Sequence, residues 1–119
     1  MNFLNIPQAY FERVTTIYEL IKEDLPDSHI YLFGSYAKRK IKPTSDLDFL
    51  ILIDEGLDKK ALKKIKWSLE EKIEDSIQFS YEVDLKLYTQ EHFEKSLSYN
   101  GFEQEINQYM IKLEETLWK

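Results

Sequence analysis

The feature that most constrains the fold of this chain is the run from Leu47 to Ile53, which is apolar at every position except Asp48. Side chains of a strand point alternately to the two faces of a sheet, so a run that is apolar at both sets of positions has no face suited to water. We therefore predict a central strand here, with cover on both faces. Asp54-Glu55-Gly56 then closes the strand as a turn.

The segments around this run alternate between helical and strand patterns. Apolar residues at spacings of three and four predict amphipathic helices, and residues 29–33 and 80–88 have the composition or alternation of strands. Residues 91–97 predict a further short helix. The order is α-β-loop-β-α-β-α-α in an α/β chain of 119 residues, short enough for a single domain over 1–119. The three main helical stripes are Val14, Ile17, Tyr18, Ile21 and Leu25; Leu62, Ile65, Leu69, Ile73 and Ile77; and Phe102, Ile106, Tyr109, Leu113 and Leu117.

The net charge of the chain bears on which classes of molecule it can bind. A net charge of −6 argues against a general nucleic-acid binder, which needs a basic face for phosphates. A local cluster of Lys38, Arg39, Lys40 and Lys42 nevertheless suits the phosphates of a single nucleotide. We therefore expect a nucleotide as a ligand more readily than a polynucleotide.

The remaining composition bears on compartment and on metal chemistry. The chain has no cysteine, which excludes disulfides, thiolate nucleophiles and cysteine-based zinc sites. It opens without the charged and then apolar pattern of a leader, and its longest apolar run, Phe49 to Ile53, is too short to span a membrane. We expect a cytoplasmic protein without a membrane partner.

Asp46 and Asp48 form the first candidate site. Residues two apart on a strand point to the same face, so these carboxylates lie close together and repel each other. A divalent cation with oxygen ligands, Mg²⁺ or Mn²⁺, would compensate that repulsion. The alternative is that Ser45 and Asp46 finish a turn and that both aspartates are solvated.

Two further signals are weaker when taken alone. Gly34-Ser35 ends the first predicted strand, where backbone N–H groups and a hydroxyl can converge on an anion, although the dipeptide is equally typical of a turn. Asp84 alternates with Val83 and Leu85 and so points away from their face. An ordinary edge strand would show the same pattern.

Together these residues resemble a known motif. The segment 32–49, LFGSYAKRKIKPTSDLDF, resembles the core motif of the minimal nucleotidyltransferases in the DNA polymerase beta-like superfamily. That motif reads G-S-x-A-[RK]-G, a short spacer, and then S-D-[LI]-D-[LF]. The resemblance extends to element order and chain length, and it implies a small nucleotidyltransferase fold of the α/β (α+β) class. Its short mixed β-sheet would have about three or four strands flanked by helices.

The resemblance also implies roles for individual residues. Asp46, Asp48 and Asp84 would be the catalytic carboxylates that bind two metal ions, Mg²⁺ or Mn²⁺, and ATP would be the nucleotide substrate. The nucleotide would be held by Gly34, Ser35, Lys38, Arg39 and Ser45. Arg39 stands where the motif has its second glycine, so either the turn there is adjusted or Arg39 contacts phosphates.

Small stand-alone members of this family are paired with HEPN-domain toxins. The resemblance thus implies an antitoxin that transfers a nucleoside monophosphate, AMP from ATP in the first place or else another NMP, to a tyrosine hydroxyl of its toxin. A catalytically weak or inactive binding subunit is the alternative, which the Arg39 replacement keeps open. An antibiotic nucleotidyltransferase is a third hypothesis, for which the chain is short.

Overall fold

The computed structural model describes residues 8–33, 47–54, 56–78, 80–98 and 101–113. Within these ranges the chain forms four helices and four strands, which confirms the predicted α/β class. None of the described helices is long and apolar enough to cross a membrane. In chain order the elements are α1 (Gln8–Asp24), β1 (His29–Phe33), β2 (Leu47–Ile53), α2 (Lys59–Ile77), β3 (Val83–Thr89), α3 (Gln90–Ser96), α4 (Gly101–Tyr109) and β4 (Ile111–Leu113).

The four strands form one mixed sheet in the order β3-β2-β1-β4. β2 is antiparallel to β1 and parallel to β3, and β1 is antiparallel to β4. Parallel neighbours need a long crossover, which α2 supplies between β2 and β3. The predicted short mixed sheet is therefore confirmed, and β2 is an interior strand in it.

The two faces of β2 belong to two different apolar clusters, as its sequence predicts. Leu47, Phe49 and Ile51 face the main core, which is covered by the buried stripes of α1 and α2. Leu50 and Leu52 face a smaller cluster, completed by Phe33 of β1 and Phe93 of α3. Because both faces are covered, an apolar residue is favoured at almost every position of the strand.

Local contacts define the start and the attachment of α2. The Asp58 carboxylate accepts a hydrogen bond of 2.8 Å from the Ala61 backbone N–H, which caps the first turn. Lys72 ties α2 to α1, because its ammonium lies 2.8 Å from a Glu23 oxygen and 3.0 Å from an Asp24 oxygen. The helix therefore has a definite N-terminus and a polar link to its neighbour.

The prediction of one last helix through Leu113 is wrong. α4 ends at Tyr109, and Ile111–Leu113 instead form β4, in which Leu113 pairs with Ile30 of β1. Leu113 is buried in the main core, and its strand supplies backbone hydrogen bonds that the edge of β1 would otherwise lack. Leu117, also assigned to that helix, lies outside the described residues.

The end of α2 yields a stability prediction. Gln78 caps the helix with φ 51° and ψ 46°, in the left-handed region that favours glycine over residues with a Cβ. Replacing Gln78 by Gly should therefore raise the free energy of unfolding by roughly 0.5–1 kcal/mol, after allowance for the greater freedom of glycine in the unfolded chain. Urea unfolding measures this change, with Gln78→Ala as a control that keeps the Cβ. A less stable glycine variant would contradict the prediction.

A partly buried polar pair joins β3 to α4 and predicts a dependence of stability on pH. The Tyr88 hydroxyl donates a 2.8 Å hydrogen bond to Glu103, and burial together with this bond raises the pKa of Tyr88 to about 12. The unfolded chain ionises this tyrosine near its usual pKa of 10.0, so the neutral form is favoured in the folded state. The resulting stabilisation is complete below pH 10 and is lost as the pH rises through 12.

We therefore expect the wild-type protein to lose stability more steeply than Tyr88→Phe between the two pKa values of 10.0 and about 12. Chemical unfolding at a series of pH values compares the two proteins. Parallel stability curves across that interval would show that Tyr88 does not contribute to the alkaline loss.

Candidate active site

The pairing of β2 with β3 brings two of the predicted site residues together. Asp48 and Asp84 are register partners on these parallel strands. Register partners on neighbouring strands point to the same face, and neighbouring strands lie about 4.8 Å apart. The two carboxylates are therefore adjacent, although the residues are far apart in sequence.

Both aspartates lie at one edge of the sheet. Each is the second residue of its strand, and Phe33, the last residue of β1, pairs with Asp48 from the other side. The Leu47 N–H donates a 3.1 Å hydrogen bond to the Glu82 carbonyl and so holds the starts of β2 and β3 together. This edge, where β1 ends and the two parallel strands begin, is the candidate active site.

The segment between β1 and β2 carries the rest of the predicted site. Residues 34–46 lie outside the described residues, but the residues that flank them, Phe33 and Leu47, are both at the candidate active site. The roles of six residues in that segment therefore stay predictions. These are Gly34, Ser35, Lys38, Arg39, Ser45 and Asp46.

The surroundings of the two aspartates differ. Asp48 is partly buried at the border of the smaller apolar cluster, because it shares a face with Leu50. Asp84 is on the outer strand of the pair, and its side chain is 49% exposed. The Lys86 ammonium lies 3.9 Å from an Asp84 oxygen and partly balances the negative charge of the two carboxylates. Sequence analysis assigned no role to Lys86, although its position two residues after Asp84 on a strand is the signal that places it on the same face.

The donor set suits a hard divalent cation. Mg²⁺ takes oxygen ligands and is commonly held by one or two carboxylates, with water and substrate phosphates completing its coordination. Asp48 and Asp84 provide two such carboxylates side by side. The described ranges contain no group of three or more acidic, histidine or cysteine side chains that could hold a metal. Asp46, the third predicted ligand, is outside them.

Comparison with known proteins gives a family. A family model described as "Nucleotidyltransferase domain" matches residues 14–113, which run from within α1 to the end of β4 and include the whole segment between β1 and β2. A Methanocaldococcus jannaschii protein named "Putative protein adenylyltransferase MJ0435" is 38% identical over 61 residues. That match spans 51% of this chain and 59% of the relative, so the chain spans less than two thirds of that relative's length.

Two solved structures share the fold. A chain of a crystal structure described as a toxin–antitoxin with AMP-PNP superposes with a TM-score of 0.52 at 25% identity, over 82% of this chain and 69% of its own length. A chain of a mutant of the toxin–antitoxin MntA-HpeT gives the same TM-score and identity, over 84% of this chain and 70% of its own length. The similarity to both extends over most of the elements described above.

Proposed function

This chain belongs to the nucleotidyltransferase-domain family, and from that premise we propose that it is an enzyme that transfers AMP from ATP to a hydroxyl group of a partner protein. The observation that carries the proposal is the register pair Asp48 and Asp84 at the edge of the sheet where β1 ends. Adjacent carboxylates at this place suit a cation-dependent reaction of phosphates. A purely structural sheet edge has no need of them.

In the proposed reaction, the hydroxyl oxygen of the acceptor bonds to the α-phosphorus of ATP. The bond from that phosphorus to the oxygen bridging the α- and β-phosphates breaks, and pyrophosphate leaves. Divalent cations, when bound, neutralise charge on the phosphates and lower the pKa of the attacking hydroxyl.

Each residue of the candidate active site has a proposed role in this reaction. Asp48 and Asp84, together with Asp46, would hold the cations, and Asp84 would also help remove the proton from the acceptor. Gly34 and Ser35 would bind the triphosphate through backbone N–H groups and a hydroxyl. Lys38, Arg39 and Ser45 would add contacts to the nucleotide.

The choice of acceptor is supported by the relatives. The archaeal relative is named as a protein adenylyltransferase, and the two solved structures are toxin–antitoxin assemblies, one of them with AMP-PNP. We therefore propose a HEPN-domain toxin as partner and a tyrosine hydroxyl of that toxin as acceptor, so that this chain acts as the antitoxin.

Labelled ATP tests the proposal directly. The protein is incubated with Mg²⁺, a HEPN-domain protein encoded beside it, and ATP labelled on either the α- or the γ-phosphate. We expect label on the partner from α-labelled ATP only, because the γ-phosphate leaves with pyrophosphate. Transfer of the γ-label would contradict AMP transfer and would indicate a kinase.

The second candidate is a binding subunit without catalysis, which the replacement of the motif glycine by Arg39 favours. The same assay separates the two functions. A stable complex with the partner, with no label transferred from any of the four nucleoside triphosphates, would establish the binding subunit.

A further inference from the structure

A cavity lies toward the end of β3 that is opposite to Asp84. It is a cleft with a volume of about 420 Å³ beside the end of β3, between the start of α2 and α3. The last residue of β3, Thr89, is in its lining, and β3 rises about 3.3 Å per residue. The cleft therefore begins at Leu87, roughly 10 Å along β3 from Asp84, and extends from there to the other end of the strand.

Lysines dominate the polar lining of this cleft. Lys59, Lys63 and Lys66 come from α2, and Lys95 comes from α3. Within the described part of the chain, the three α2 lysines form no ion pair, whereas Lys95 lies 2.9 Å from Glu91. Three ammonium groups that form no ion pair with the described residues therefore line one side of an open space of nucleotide size.

The acidic groups of the lining are already engaged. Asp58 accepts the hydrogen bond that caps α2, and Glu91 is the partner of Lys95. The ion pair with Lys95 lowers the pKa of Glu91. Four lysines against two carboxylates give the lining a net charge of +2, whereas the net charge of the chain is −6.

This concentration of lysines is unfavourable to the helix itself. The N-terminal end of a helix carries a partial positive charge and prefers acidic residues, but α2 has no acidic residue in its first turn. Lys59 and Lys63 are also four apart, a spacing at which like charges repel on a helix. The lysine cluster therefore does not stabilise the start of α2, whereas it suits the binding of an anion.

The remaining walls are aromatic and apolar. The rings of Tyr88 and His92 are stacked with centroids 5.7 Å apart and planes 15° apart, and both residues line the cleft. Leu57, Leu62 and Leu87 add apolar surface. A flat ring of a ligand can stack or pack against this side while its anionic groups reach the lysines.

From this combination we infer that the cleft is a second binding site, which takes a nucleotide or a similar aromatic phosphate ester. The lysines bind its phosphates, and the wall formed by Tyr88, His92 and the three leucines receives its ring. This site needs no divalent cation, because the lysines already supply the positive charge. It is independent of the proposed transfer reaction.

Calorimetry without divalent cations tests the inference separately from catalysis. ATP is titrated in EDTA into the wild-type protein and into Asp48→Asn/Asp84→Asn, and we expect equal affinities.

Lys63→Glu/Lys66→Glu should weaken binding by about tenfold or more, since it removes two charge-assisted contacts and adds repulsion. Lys60→Glu/Lys64→Glu is the matched control: both lysines are on the first two turns of α2 but outside the cleft lining, and the change in net charge is equal. Circular dichroism confirms that each variant is folded.

The ligand itself is tested with two further probes. Inorganic tripolyphosphate should bind more weakly than ATP, because it has no ring for the aromatic wall. Backbone amide shifts caused by ATP in ¹H–¹⁵N spectra should fall in 57–66 and 87–95.

Three results would overturn the inference. One is an absence of binding to the wild-type protein in EDTA, and another is an equal affinity for tripolyphosphate. The third is an equal loss for the cleft variant and the control variant, accompanied by tight binding of single-stranded RNA. That outcome would make the lysines an extended surface for a polynucleotide.

Discussion

Asp48→Asn should lower kcat for the proposed AMP transfer by a factor on the order of 10²–10³ or more, because the substitution removes one charge that would hold a divalent cation beside the reacting phosphate. Asp84→Asn should have an effect of the same kind, since Asp84 is the register partner of Asp48. The α-labelled ATP assay measures transfer. Electron paramagnetic resonance of Mn²⁺ measures cation binding independently, and affinity should fall in both variants.

The effect on folding should be small in comparison. Asp84 is half exposed and its lysine contact is long, at 3.9 Å. Exposed ion pairs contribute little, so Asp84→Asn should change the free energy of unfolding by less than about 1 kcal/mol in the absence of divalent cations. Loss of activity at unchanged stability is the signature expected of a residue kept for chemistry.

Asp54→Asn is the matched control. Asp54 directly follows the other end of β2, is exposed, and lies 3.2 Å from His29. The chemical change is the same, but the residue is far from the candidate active site, so transfer should remain at the wild-type rate. Equal losses in Asp48→Asn and Asp54→Asn, or full activity in Asp48→Asn, would remove the basis for this site.

Phe49→Ala should have the largest effect on stability, a loss of about 3–5 kcal/mol in the free energy of unfolding. Phe49 is fully buried in β2, and its side chain packs in the main core under α1 and α2. The substitution removes buried apolar surface and leaves a cavity that the surrounding strands and helices fill only in part. Single domains are stable by about 5–15 kcal/mol, so the loss is a large fraction of the whole.

Urea unfolding measures the change, and Trp67→Ala is the control. Trp67 is also a large aromatic residue, but it is 64% exposed on α2, so its removal should change stability by less than about 0.5 kcal/mol. Phe49→Leu, which keeps much of the volume, should cost less than about 1.5 kcal/mol. Similar losses for Phe49→Ala and Trp67→Ala would show that the main core does not depend on Phe49.

Much of this fold could be predicted because its elements depend on local patterns. The apolar run of β2 and the helical stripes of α1 and α2 follow periods of two and 3.6 residues that short segments carry by themselves. The prediction failed at Leu113, where the same apolar spacing fits a helix but the edge of β1 offered partners for a strand. Whether a short apolar segment forms a helix or a strand depends on such long-range pairing.

The candidate site shows the same division. The roles of Asp48 and its motif neighbours were predicted from the resemblance of residues 32–49 to a family motif, which could be read from the sequence because its residue types and spacing lie within a short stretch of chain. Asp84 had only the resemblance to support its role, since its own pattern fits an ordinary edge strand, and the parallel pairing of β2 and β3 now places it opposite Asp48. The cleft at the other end of β3 could not be predicted either. Its lysines have the pattern of an ordinary solvated helix face, and the cavity exists only because α3 packs beside the end of β3. Sequence by itself thus determined the family motif and most elements of this protein. Tertiary structure decided which charges are neighbours, because strand register and helix packing join residues that no local pattern relates.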